Sequence, residues 1–157
     1  MNFSARLTCL LVDPRNKGMR LGVDNGSLGP SSVTLALAQN VCTWEGFQID
    51  GQDVTESLMT GVGPFFSDGT WSAEGYDFGV LASGDHYLAK WSEKGDPIRI
   101  RGTWKLLMGT GSLDGITGEA SFEEPAPKAG DTSVVATVTG WYRLPRRSGS
   151  IPLSVLQ

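Results

Sequence analysis

The chain is poor in the residues that metal sites and charged partners require. Its 157 residues hold one histidine, His86, and two cysteines, Cys9 and Cys42, spread over much of the sequence with no close ligand pair. No metal site is read from them, and no cofactor is expected. The two cysteines read as buried free thiols, since pairing would need a fold that brings their Cα atoms within about 7 Å. Cationic side chains are also in the minority, with 13 Lys and Arg against 17 Asp and Glu, a net charge of −4 and a pI near 4.9. Such a balance repels polyanions, so nucleic acid and anionic membrane surfaces are not expected as partners. No run reaches the ~18 apolar residues of a membrane span. The best candidate, Leu7 to Val12, is short for a signal segment and has no Ala-x-Ala cleavage pattern. The expectation is a soluble, cytoplasmic, unprocessed chain. Nucleotide motifs are missing as well, because Gly109 to Gly118 contains neither a Gly-Lys-Ser/Thr ending nor G-x-G-x-x-G spacing.

What the chain has in excess is glycine, 21 residues, about twice the usual share. Turn signals recur at near-regular spacing: Asn25-Gly26, Asp50-Gly51, Asp68-Gly69, Ser83-Gly84-Asp85, Lys94-Gly95-Asp96-Pro97, Asp114-Gly115 and Gly130-Asp131. The runs between them are too short for most helices and carry β-branched and aromatic residues: 3–12, 32–37, 41–47, 70–76, 86–91, 98–107, 118–122 and 133–144. About eight evenly spaced strands predict a single all-β domain, an antiparallel barrel over residues 1–145, followed by a C-terminal tail, 146–157. Asp53-Val54-Thr55-Glu56 has the form of a capping box and predicts one helical turn among the strands.

Alternation then assigns faces, because successive strand residues point to opposite sides of a sheet. Arg99, Arg101, Thr103 and Lys105 fall on one side and Ile100, Gly102, Trp104 and Leu106 on the other, which puts Trp104 inside. Tyr87 and Trp91 share the inner face of the preceding run, and Tyr142 is placed inside on the last. The five tryptophans either fill the core or line a cavity. Asp85 and His86, being adjacent, point apart on a strand and cannot form a triad pair unless a turn reverses the chain between them; His86 is expected in solvent. Glu74 has two readings. With Ser72 and Tyr76 inward it is a carboxyl of raised pKa beside a phenol; with Trp71 inward it is a solvated charge.

The series Gly75-Tyr76, Gly84-Asp85, Trp91, Gly102-Thr103-Trp104 and Gly109-Thr110-Gly111 through Gly115-Ile116-Thr117-Gly118 resembles a group of small bacterial proteins related to the allene oxide cyclase-like barrels. The likeness spans about residues 68 to 142. It implies a calycin-like, eight-stranded antiparallel barrel with an apolar cavity, a scaffold shared with dirigent proteins and spirocyclases. Its motif is built of turn glycines and core tryptophans, so it transfers a fold and no catalytic residue. A barrel of eight strands is either filled by side chains or holds one small ligand. Two functional readings follow. One is a cyclase or isomerase that folds a hydrophobic polyene, with Glu74 and Tyr76 as polar catalysts and Tyr87, Trp91, Trp104 and Tyr142 lining the cavity. The other is a non-catalytic binder, or a structural barrel with a filled core. A small hydrophobic molecule is the expected partner, and self-association into a homo-oligomer is compatible with both.

Overall fold

The computed structural model describes residues 1–11, 17–23 and 33–145, with backbone alone for 17–23 and for 33 and 34. The expected turn at Asn25-Gly26 and the tail 146–157 lie outside the described residues. Ten strands follow one another: β1 (Asn2–Leu10), β2 (Lys17–Val23), β3 (Val33–Glu45), β4 (Gln48–Ile49), β5 (Gln52–Phe66), β6 (Trp71–Leu81), β7 (His86–Gly95), β8 (Arg99–Gly109), β9 (Thr117–Pro125) and β10 (Ser133–Arg143). A three-residue 3-10 turn, Gly111–Leu113, is the one helical element among the described residues. Every pairing is antiparallel. The order β1-β10-β9-β8-β7-β6-β5-β3, with β3 returning to β1, closes an eight-stranded barrel. β4 pairs only with the start of β5. β2 follows β1 along the same edge of β3, against Val33 to Gln39, while β1 holds Cys42 to Glu45.

Two local expectations are corrected. The runs 32–37 and 41–47 merge into the single strand β3, and the capping box at Asp53–Glu56 is strand, not helix. Asp53 accepts a hydrogen bond from Gln48 Nε2 at 2.8 Å across the β4–β5 turn, and Val54 is buried as an inward strand residue. A bulge between Val54 and Glu56 supplies the irregularity that the sequence shows there.

The expected alternation holds on β7, β8 and β10. Ile100, Trp104 and Leu106 are buried, and Arg101 and Lys105 lie outside, paired with Glu123 at 3.0 Å and Glu119 at 3.2 Å. One end of the barrel is filled by rings. Trp104 meets Tyr87, Phe47 and Trp44 edge-on, with centroids 5.6, 5.8 and 6.0 Å apart. Each buried ring contributes roughly 1.5–3 kcal/mol by removal from water. Phe47 and Ile49, carried on the fold-back between β3 and β5, plug this end together with Leu113 and Ile116. Rings of this size fit because glycines on the adjacent strand, or on the one beyond it, give them a floor. A Cβ at Gly79 would stand 2.1 Å from the Tyr87 ring, and one at Gly61 would stand 2.3 Å from Trp91. The glycines after β8 act differently. Gly111 and Gly115 have φ of 54° and 76°, which L side chains rarely adopt.

Cys9 and Cys42 form a disulfide, correcting the free-thiol expectation. The register of β1 on β3 sets them directly opposite one another with Cα atoms 4.0 Å apart. They occupy the last rung of the β1–β3 seam, where β3 passes from β1 to β2.

Candidate functional site

The four aromatic residues expected inside are inside. Tyr87 and Trp91 sit on β7, Trp104 on β8 opposite Trp91, and Tyr142 on β10; all are buried. They do not line one open space. Tyr87 and Trp104 belong to the filled end, and Tyr142 packs at its rim, where its hydroxyl accepts from the Asp50 N–H at 3.4 Å. Trp91 stands at the boundary of the filled end. Glu74 and Tyr76 are on the outer face, which corrects the inward reading of the pair. β6 turns Trp71, Ala73, Gly75 and Asp77 inward, so Glu74 reaches solvent and pairs with Lys90 at 3.0 Å, while Tyr76 is 49% exposed. The Glu74 partner raises the pKa of Lys90. His86 is outward against the Phe78 ring, centroids 5.1 Å apart. Asp85 accepts from the Ser112 hydroxyl at 2.6 Å and its backbone N–H at 3.0 Å, bonds that lower its pKa.

Three inward carboxyls escaped the sequence reading: Asp77, Glu93 and Glu124. Asp77, with no exposed surface, accepts from Tyr87 Oη and Trp104 Nε1, each at 3.0 Å from its Oδ2. Burial pushes its pKa up to about 6, opposed in smaller measure by Ser57, Trp104 and Tyr87. The Tyr87 phenol is driven well above its ordinary range by burial and then by Asp77. Nearby, Trp44 Nε1 donates to Ser57 Oγ at 3.1 Å. Among the described residues, Asp77 Oδ1 and the indole N–H of Trp91, both buried, have no hydrogen-bond partner. Leaving such a group unpaired costs about 1–3 kcal/mol.

At the opposite end the inner face changes character. Met59, Trp71, Ala73, Glu93, Glu124 and Val134 occupy inward positions and are only half-buried, with glycine at positions 61 and 63 between them. Trp71 lies over Gly95 and stacks on Phe65, centroids 5.5 Å apart, and its Nε1 donates to Glu93 Oε1 at 3.3 Å. Burial raises the pKa of Glu93, with the Trp71 bond opposing. Glu124 is pushed up to about 7 by burial and then by the Glu93 charge. Near neutral pH Glu124 can hold a proton and release one, which is the property of a general acid or base. Parity with Trp91 and with Phe122 was the available signal for both glutamates.

A concavity of about 850 Å³ lies at this end, with Leu35, Val62, Glu93, Lys94, Arg99 and Arg101 in its walls, so that it takes in the Glu93 carboxyl together with three cations. Several of its polar groups are already engaged: Ser92 with Thr103 at 3.1 Å, Arg101 with Glu123, Glu74 with Lys90, and Glu93 with the Trp71 N–H.

Fold and site together define a closed eight-stranded barrel, filled by rings at one end and carrying the half-buried Trp71, Glu93 and Glu124 at the other, which is called its mouth below. No family model and no curated protein matches the chain. Among solved structures it is similar to two pterocarpan synthase dirigent proteins. GePTS1 is 13% identical over 90% of this chain and 85% of that one, with a TM-score of 0.47. PsPTS1 is 13% identical over 94% and 96%, with a TM-score of 0.49. At that identity and score the likeness carries no argument about activity. Neither structure speaks for the allene oxide cyclase-like part of the sequence resemblance, or for a bacterial origin.

Proposed function

We propose that the chain is a small-molecule-binding barrel whose ligand occupies the mouth, its apolar body against Trp71 and Trp91 and its polar group at Glu93 and Glu124. The observation that carries this reading is the split interior. A barrel serving only as structure gains by filling both ends with apolar side chains, whereas desolvated carboxyls cost stability unless something engages them. Tyr87, Trp104 and Tyr142 contribute the rigid plug beneath the ligand. The finer reading is a cyclase or isomerase acting on a polyene-type substrate, in which confinement lowers the entropic part of the barrier and Glu124 moves the proton. That is the part which the sequence assigned to Glu74 and Tyr76.

Titration with diphenylhexatriene, followed by tryptophan emission, tests the binding. Saturable quenching is expected, weakened about five- to tenfold in Trp71→Leu through loss of ring contact. Unchanged emission up to the probe's solubility removes the reading. For the enzyme, Glu124→Gln is expected to slow turnover of a linear polyene by about 10²- to 10⁴-fold. Binding without any product leaves the binder and eliminates the cyclase.

A further inference from the structure

We propose that the outer face of the barrel centred on Phe78 is covered by a second copy of this chain, packed face to face about a two-fold axis. The first support is the way apolar side chains are distributed over the barrel's exterior. Across β7, β8, β9, β10 and β1 one outer row reads Ser92, Thr103, Ser121, Thr139 and Ser4, and the rows beside it carry ion pairs such as Lys105 with Glu119 and Arg101 with Glu123. That side suits water. On β5, β6, the start of β7 and the end of β8 the outer layer is apolar instead. Tyr76, Phe78 and Val80 follow one another on β6, between 37% and 49% exposed. Register sets Leu58 of β5 and Leu88 of β7 on either side of Phe78, both half-buried, with Met108 of β8 beyond Leu88. Met108 is 55% exposed, and Leu107 beside it is exposed too.

The second support is size. Val62 on β5 and Leu37, its partner on β3, are exposed as well and extend the patch beyond Tyr76. Taking ~150–250 Å² for a large side chain, the exposed fractions of these residues add up to roughly 600 Å² of apolar surface. An ordinary monomer shows about 300–600 Å² in its largest patch. Interfaces are only about 60% apolar, so with its polar margin this face reaches the ~800 Å² that each partner buries in a stable complex.

The charges at the margin identify the occupant. One rung from Phe78 along β6, Glu56 of β5 stands beside Val80; one rung the other way, Lys90 of β7 stands beside Tyr76, with Lys105 opposite it on β8. The lysines' own partners, Glu74 and Glu119, lie on the sides away from Phe78. An acid and a pair of cations therefore occupy diagonally opposed corners of the patch, with Phe78 midway between them. A two-fold axis lying in the contact and passing through Phe78 brings Glu56 of each copy to Lys90 of the other, so one match is made twice. Such a face is complementary to itself.

Sedimentation velocity on the full chain tests the pairing. At about 100 μM a species of twice the 16.8 kDa chain mass is expected, dissociating on dilution. Phe78→Lys is expected to weaken the association at least about 100-fold, with circular dichroism unchanged. Glu56→Lys is expected to weaken it about tenfold, and adding Lys90→Glu to that variant to restore it. A wild type that stays monomeric at about 100 μM overturns the proposal, whatever else then covers the face. A dimer indifferent to Phe78→Lys overturns it by placing the contact elsewhere. Failure of the charge exchange to restore association, or a closed species with an odd number of copies, overturns the two-fold register. If Phe78→Lys does not fold, Met108→Lys decides in its place.

Discussion

Asp77 has no exposed surface and holds two donors on one oxygen, so its charge is tolerated only by Tyr87, Trp104 and Ser57. Its pKa rises from 3.8 to about 6 on folding, and the native chain therefore keeps a proton that the unfolded chain releases between those values. The associated stabilisation is complete below the unfolded value and is lost as the pH climbs through about 6. Two pK units amount to roughly 3 kcal/mol. Urea melts of Asp77→Asn are expected to gain on the wild type across that interval, ending up to about 2–3 kcal/mol above it at pH 8. Glu124 adds its own slope up to about 7 in both proteins, so the difference between the two curves is the readout. Equal pH dependence of the two proteins contradicts a desolvated Asp77. This residue was not legible in the sequence for a definite reason. On β6 the outer face carries Tyr76, Phe78 and Val80, while the inner face carries Ala73, Gly75, Asp77 and Gly79. The usual sign of hydrophobicity is inverted, because the rings that fill this part of the core come from β7 and β8.

At the scale of the strand, the weak join is β1 on β3. It has four rungs, Arg6–Glu45 to Cys9–Cys42, against nine between β1 and β10. The disulfide clamps its end, across a sequence separation of 33 residues. Loop-closure entropy for that span corresponds to about 3–4 kcal/mol. Cys9→Ala with Cys42→Ala is expected to lose about 2–4 kcal/mol in denaturant melts, and reductant should lower the wild-type melting temperature by a similar equivalent. A double variant as stable as the wild type shows the join to hold without its clamp. The bond also weighs against the cytoplasmic expectation, since disulfides persist mainly in oxidising compartments. The strand count of eight was legible, but through two compensating errors. β3 reads as two strands because Ala38 to Asn40 lacks β-branched residues, and β5 is missed because Gly61, Gly63 and Pro64 interrupt its pattern.

For the molecule as a whole, closure joins the chain's first strand to its last described one, with Asn2 opposite Trp141 and the Met1 ammonium donating to the Tyr142 carbonyl at 2.6 Å. Contacts of that range must form late and together. Refolding with the disulfide intact is expected on the millisecond-to-second scale of β-barrels, and a microsecond phase that restores full tryptophan burial contradicts a closed ring. That the chain forms a barrel was readable from turn spacing and from the alternation of Arg99 to Lys105. Which end is plugged and which is open was not. That depends on Phe47 and Ile49 folding back over one rim, an event set by a two-residue strand and a tight turn with no periodic signature.

The seating of Tyr87 over Gly79 and of Trp91 over Gly61 has an evolutionary consequence. Each large ring and the bare backbone beneath it form one unit of inheritance, since a side chain at the glycine is tolerated only after the ring has been lost, and a lost ring leaves a gap that a side chain at the glycine then fills. In relatives of this chain the paired positions are expected to change together, between adjacent strands for Gly79 with Tyr87 and across an intervening strand for Gly61 with Trp91. A drift that alters one member alone passes through a less stable ancestor.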